Sequence, residues 1–216
     1  MKDYRYLLFD LDGTLTDSSE GITKSVEYAL NRFSITVRDR RDLLCFIGPP
    51  LHDSFMQFFG FSDEDAYTAV EYYREVFREK GLFENTVYDG IPGLLEGLRA
   101  AGKKLVLATS KPEEFSRRIL DHFDLTKYFD FIAGATFDST RVTKAQVIEY
   151  ALGGAGIRDK STALMIGDRS HDVIGAHENG LDCLGVLFGF GTRDELEAAG
   201  ADYIAETVSD IGRMLA

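Results

Sequence analysis

Two aspartates, Asp10 and Asp12, stand two positions apart at the end of an apolar run in LLFDLDGTLTD, residues 7–17. Thr109 and Ser110 follow a second apolar run in LVLATSKP, and Asp168 and Asp172 follow a third in MIGDRSHD. Carboxylates gathered in one place resist ionising together unless a cation joins them. The chemistry such a set serves is therefore the binding of a cation. Each residue taken singly reads as a helix cap or turn residue, and for Ser110 alone that reading is preferred. DLDGT and GDRSHD together ask for more.

The elements that must position these residues are short buried strands alternating with helices. Apolar runs at 6–9, 104–109, 129–134, 163–167 and 183–188, with a weaker one at 203–205, have the near-continuous hydrophobicity of a parallel sheet covered on both faces. Between them, Pro92 opens a helix with Leu94, Leu95 and Leu98 on one face. Another starts near Pro112 with Phe115, Ile119 and Leu120 inward, and Thr143 caps a third. The pattern predicts an α/β fold, a doubly wound Rossmann-like parallel sheet. Open sheets of this kind bind ligands beyond the carboxyl ends of their strands, where all three chemical segments lie.

Residues 17–83 interrupt the alternation with helices only. Asp17 with Glu20 predicts a capping-box start, and Ile22, Val26, Leu30 and Phe33 follow at helical spacing. A short helix around Leu51–Phe59 stops at Gly60, and Ser62 opens a longer one that ends at Gly81. The expected organisation is a core of residues 1–16 and 84–216, with 17–83 inserted as an all-helical cap. The formal charge of −12 over 216 residues argues against nucleic acid or an anionic membrane as partner. Cys45 and Cys183 read as buried free thiols. With no segment resembling a signal peptide or a membrane span, a cytoplasmic monomer or weak homodimer is expected.

Four pieces in order, DLDGT (10–14), ATSK (108–111), Lys144 in RVTKAQ and GDRSHD (167–172), resemble the four motifs of the haloacid dehalogenase superfamily of phosphohydrolases. The helical insert is similar to that superfamily's small helical cap, and the resemblance spans essentially the whole chain. FIGPPL (46–51), TSKP and GVLFGFGTRDELEAAGADYI most resemble its phosphoglycolate-phosphatase-like branch, although many members of that branch carry asparagine where this chain has Ser110.

The resemblance implies a role for each residue. Asp10 is the nucleophile that forms an aspartyl-phosphate, and Asp12 the general acid and base. Gly13 permits the turn and the Thr14 hydroxyl fixes it. Mg²⁺ is held by the Asp10 carboxylate, the Asp12 backbone carbonyl and Asp168, with Asp172 behind them or on Lys144. Thr109 and the Ser110 amide hold phosphoryl oxygens at a helix start, and Lys144 neutralises the transferring group. Specificity is expected in the cap loop at Gly48, Pro49 and Pro50. The substrate is a small phosphorylated metabolite, with phosphoglycolate first, a nucleoside 5′-monophosphate second and a phosphomutase activity open. A receiver-like signalling domain is the non-enzymatic alternative; a nucleophile sharing its strand with Asp12, followed by a helical lid, speaks against it. His52, His122, His171 and His177 lack zinc-type spacing. GFGTRD at 189–194 fails the dinucleotide fingerprint.

Overall fold

The apolar run Tyr6–Phe9 becomes β1, the strand about which the sheet is built. The computed structural model describes residues 1–138 and 140–215. Where the chain leaves and rejoins the sheet, β2 (Thr16–Asp17) and β3 (Thr86–Val87) pair as a two-stranded ribbon. The remaining strands are β4 (Lys104–Pro112), β5 (Phe131–Ala135), β6 (Ala163–Gly167), β7 (Asp182–Val186) and β8 (Tyr203–Ala205). They join β1 in the order β5-β4-β1-β6-β7-β8, and every pairing is parallel. Leu7, Leu8 and Phe9 are buried on alternate faces, as a central strand with both faces covered requires.

Three strands differ from the expected bounds, and β7 spans Asp182–Val186 and not 183–188, because the chain bends out of the sheet from Leu187. β5 begins at Phe131 and not at 129, because Phe129 and Asp130 end a short turn and the Asp130 carboxylate accepts from the Leu105 amide. β4 runs on from Thr109 to Pro112 through an irregular register.

The chain divides into two compact units, Asp17–Thr86 and the remainder, Met1–Thr16 with Val87–Ala216. The first contains α1 (Ser19–Arg32), a 3₁₀ segment Arg40–Phe46, α2 (Leu51–Phe59) and α3 (Asp63–Val76). The last turn widens into a π segment at Phe77–Gly81, so the single helix expected to reach Gly81 changes pitch at Phe77. Aromatic rings fill this unit: Phe46 lies 4.9 Å from Phe55, and Phe33 4.7 Å from Phe61. Ser62 caps α3 through the Asp65 amide, and Gly60 ends α2 in the left-handed region. The capping box expected at Asp17 does not form. Ser18 occupies the cap position, and Asp17 Oδ1 accepts from the Ser19 amide in a local turn, an option open to any aspartate followed by serines. Cys45 is only half-buried, unlike the expected buried thiol, whereas Cys183 is fully buried on β7.

In the larger unit α4 (Ile91–Ala100) and α5 (Glu113–His122) precede α6 (Lys144–Gly154), α7 (Ser170–Glu178), α8 (Arg193–Ala199) and α9 (Val208–Leu215). Val147, Ile148, Ala151 and Leu152 of α6 meet Leu8, Val106 and Met165 in one apolar cluster. Thr143 and Gln146 close a full capping box at the start of α6. Among the described residues no helix is long and apolar enough to cross a membrane.

Candidate active site

The winding direction reverses about β1. The chain builds outward through β4 and β5, then crosses to β6, β7 and β8, which makes the carboxyl end of β1 the switch point where doubly wound sheets take ligands. Asp10 follows the last residue of β1, its amide still donating to Ile166 O at 2.9 Å. The chain then turns tightly: the amides of Leu15 and Thr16 donate to Leu11 O, and Gly13 N donates to Thr16 O at 2.8 Å. These backbone bonds fix the turn. The Thr14 hydroxyl, expected to do so, is buried without a hydrogen-bond partner among the described residues. Gly13 has φ +84°, and a Cβ there would lie 2.1 Å from Asp168 Oδ2. Only glycine allows Asp168, at the end of β6, to come this close to the turn.

Asp10, Asp12, Asp168 and Asp172 are all buried in this larger unit, and so are two lysines. The Lys144 ammonium donates to Asp10 Oδ1 at 2.6 Å and Ala108 O at 3.1 Å, and lies 2.7 Å from Asp172 Oδ1. The ammonium is therefore enclosed by two hydrogen-bond acceptors and a second carboxylate. The Lys111 ammonium lies 2.8 Å from Asp12 Oδ2. Burial raises Asp10 above the usual carboxylate range against the lowering pull of Lys144, and the ammonium 2.6 Å away favours its ionised form. Burial works to lower Lys144, but the charges of Asp10 and then Asp172 outweigh it and hold the ammonium protonated. Burial, with Asp172 and Asp10 next, pushes Asp168 well above the usual carboxylate range.

Carboxylate oxygens of Asp10, Asp168 and Asp172 lie within 4.8 Å of one another. Asp168 accepts from the Phe190 amide at 2.7 Å through Oδ2, while its buried Oδ1 has no hydrogen-bond partner among the described residues. Four buried carboxylates face two buried ammonium groups, an acidic excess that a divalent ion offsets. The donors are all hard oxygens, which suits Mg²⁺. Asp172 is otherwise engaged, taking the Arg169 amide on Oδ2 and Lys144 on Oδ1, so Asp10 and Asp168 are the carboxylates best placed to hold the ion.

Thr109 is buried in β4, and its hydroxyl oxygen accepts from the Lys111 amide at 3.2 Å. Ser110 is half-buried beside it. Expected at a helix start, both lie instead within the strand, because α5 begins only at Glu113 after Pro112. Gly48, Pro49 and Pro50 are half-buried residues of the smaller unit, and Pro50 occupies the cap position of α2. Two contributors to the site escape a reading of the sequence. Lys111 belongs to the ATSK segment, but a lysine just before a proline has the pattern of a surface turn. The 189–191 loop fails as a nucleotide motif, yet it supplies the Phe190 amide to Asp168. A Cβ at Gly189 would stand 2.5 Å from Asp168 Oδ2, so GFG there is a packing signal.

The model of the haloacid dehalogenase-like hydrolase family matches residues 7–186, and the chain belongs to that family. Within it the chain is a phosphoric monoester hydrolase. A 5′-nucleotidase of Pseudomonas aeruginosa is 51% identical over 195 residues, covering 90% of this chain and 88% of that one. The tyrosine-protein kinase PtkA of Mycobacterium tuberculosis is 39% identical over 212 residues, covering 97% of this chain and 72% of the kinase. A predicted phosphatase from Clostridium acetobutylicum has a crystal structure with TM-score 0.96 and 52% identity, covering 99% of this chain and 98% of that one.

Proposed function

We propose that the chain is a Mg²⁺-dependent phosphomonoesterase that works through an aspartyl-phosphate on Asp10. The observation that carries this reading is the separation of two adjacent carboxylates onto different cations, Asp10 on Lys144 and Asp12 on Lys111. Asp10, in its ionised form, attacks phosphorus as the ester P–O bond breaks, and Asp12 gives its proton to the departing alkoxide. Water then attacks the phosphorus of the aspartyl-phosphate, its proton passing to Asp12, and the Asp10 carboxylate is released with inorganic phosphate. The Thr109 hydroxyl, whose oxygen accepts from Lys111 N, retains its hydrogen to donate to a phosphoryl oxygen. The two ammonium groups keep both carboxylates in place without moving during the reaction, the preorganisation phosphoryl transfer depends on. Asp10 and Asp168 would hold Mg²⁺, which when bound would supply Lewis-acid stabilisation of the phosphoryl charge.

For the substrate, a nucleoside 5′-monophosphate comes ahead of phosphoglycolate. The 5′-nucleotidase relative is 51% identical, while structures described as phosphoglycolate phosphatases are 22% and 21% identical and speak to the fold alone. Asp17–Thr86 is the cap in this reading, and the Gly48–Pro50 turn its specificity loop. Phosphate release from 5′-mononucleotides, phosphoglycolate and sugar phosphates, each with Mg²⁺ and with chelator, tests the proposal. Release from none of them in the presence of Mg²⁺ overturns it. A tenfold higher kcat/KM for phosphoglycolate reverses only the substrate order, about 1.4 kcal/mol of transition-state discrimination.

A further inference from the structure

A buried lysine is costly to desolvate and persists where a partner needs it. Lys111 is such a lysine: its side chain is 5% exposed and that of Asp12, 2.8 Å away, is 10% exposed. The backbone is built to bring it there. Thr109 pairs with Gly134 and Pro112 with Ala135, so Ser110 and Lys111 are two extra residues in β4 with no counterparts in β5. An irregularity of this kind re-aims a side chain. The Thr109 hydroxyl oxygen takes the Lys111 amide and fixes the bulge from within. Across the ladder, a Cβ on Gly134 would lie 2.7 Å from Lys111 O and 2.6 Å from Glu113 N, so the bulged backbone lies over a position only glycine can fill.

The consequence falls on Asp12. Lys111 engages Oδ2, while Oδ1 is buried with no hydrogen-bond partner among the described residues. We infer that Lys111 is the positioning residue for the acid–base step: it anchors Asp12 through Oδ2 and leaves Oδ1 as the oxygen that carries the proton. In the forward half-reaction the proton on Oδ1 moves to the leaving oxygen as its bond to phosphorus breaks. In the second half-reaction a water proton returns to Oδ1 as the new P–O bond forms. Lys111 itself neither gives nor takes a proton. This inference rests on the phosphomonoesterase reading and adds to it the residue that orients its acid.

Leaving groups separate this role from mere packing. Nitrophenolate departs without needing a proton, whereas an alkoxide requires one, and a well-placed acid is worth about 10²–10⁴-fold. Lys111→Met and Lys111→Arg are compared with the unmodified chain on p-nitrophenyl phosphate and on glycerol phosphate, with Mg²⁺ saturating. For Lys111→Met, kcat/KM, which reports the leaving-group step and not the hydrolysis of the intermediate shared by both esters, should fall at least about 30-fold further on glycerol phosphate than on the nitrophenyl ester. Lys111→Arg, which keeps a cation near Oδ2, should recover part of that differential. In an Asp12→Asn background the Lys111→Met change should produce no further differential, and this arm decides the matter if Lys111→Met alone is too unstable to assay. Equal losses on both esters, or a full differential persisting in the Asp12→Asn background, overturn the role of Lys111 while leaving the phosphatase intact. An unmodified chain inactive on every phosphomonoester overturns both.

Discussion

The two units bury polar groups in opposite ways. In Asp17–Thr86 the buried polar side chains are hydroxyls, and most are absorbed locally: Thr23 donates to Ser19 O, Ser25 to Gly21 O and Ser54 to Pro50 O. Its ion pairs, such as Lys24 with Glu20 and Glu84, stay near solvent. The larger unit buries Asp10, Asp12, Lys111, Lys144, Asp168 and Asp172. Removing one partner from a buried pair costs about 3–5 kcal/mol, and surface pairs contribute about 0–1 kcal/mol. One unit is thus packed by aromatic and aliphatic side chains with no buried charge among its described residues, while the other carries costly charge burial that its chemistry accounts for.

The largest test of this contrast is Asp10→Asn. It removes the nucleophile, so turnover should fall at least about 10³-fold in a phosphate-release assay. It also relieves carboxylate repulsion while Lys144 keeps Asp172, so the metal-free melting temperature should hold or rise. A fall in stability together with retained activity would make Asp10 an ordinary buried anion. The product must be checked by mass for deamidation back to aspartate.

Chelation comes next. Exhaustive removal of divalent ions should stop turnover, with Mg²⁺ restoring it and Ca²⁺ restoring far less, since its looser shell suits the site poorly. Because Mg²⁺ offsets the charge imbalance, it should also stabilise the fold by about 2.7 kcal/mol at a hundredfold excess over its dissociation constant. Scanning calorimetry with and without Mg²⁺ reads this. A melting temperature indifferent to Mg²⁺ would mean that protons and not the ion offset the acidic excess, with Asp168 neutral.

In the helical unit the equivalent blow is to an aromatic. Phe55 is fully buried among Phe46 and Phe61, and Phe55→Ala should cost about 3–5 kcal/mol. Native-state hydrogen exchange should show lost protection across Leu51–Val76 while the amides of β1 and β6 remain protected. Loss in both regions together would erase the distinction between the units.

Much of this contrast is legible from residue patterns, and the remainder is hidden for physical reasons. β1, β6 and the inward face of α6 follow from apolar runs and helical spacing, because burial on both faces leaves no room for polar residues. Asp10, Asp12 and Asp168 are legible because each closes such a run. Lys111 is not, since its partner is met only when β4 docks beside β1 and two bulge residues turn it inward. The Phe190 amide is hidden for a different reason: backbone donors leave no side-chain signature, and only the glycines around it hint at close packing. The cap of α1 fails where three consecutive residues, Asp17, Ser18 and Ser19, can each begin a helix and local spacing does not choose among them.

The smallest expected effect sharpens the comparison most, because it uses the same chemical change in both units. Thr143 caps α6 through the Gln146 amide, and Ser62 caps α3 through the Asp65 amide. Either residue changed to alanine should cost about 1 kcal/mol, since each loses one satisfied helix-end donor. The two losses reach the chemistry differently. Lys144 is the first residue of α6, so a frayed first turn loosens the ammonium that lies 2.6 Å from Asp10. The first turn of α3 holds Asp63, Glu64 and Asp65, none of them buried. Thr143→Ala should therefore lower kcat severalfold, and Ser62→Ala, matched to it in stability by urea unfolding, should leave kcat within about twofold. Equal kcat for the two would show that Lys144 is held by Asp10, Ala108 and Asp172 alone and that the cap serves only the helix.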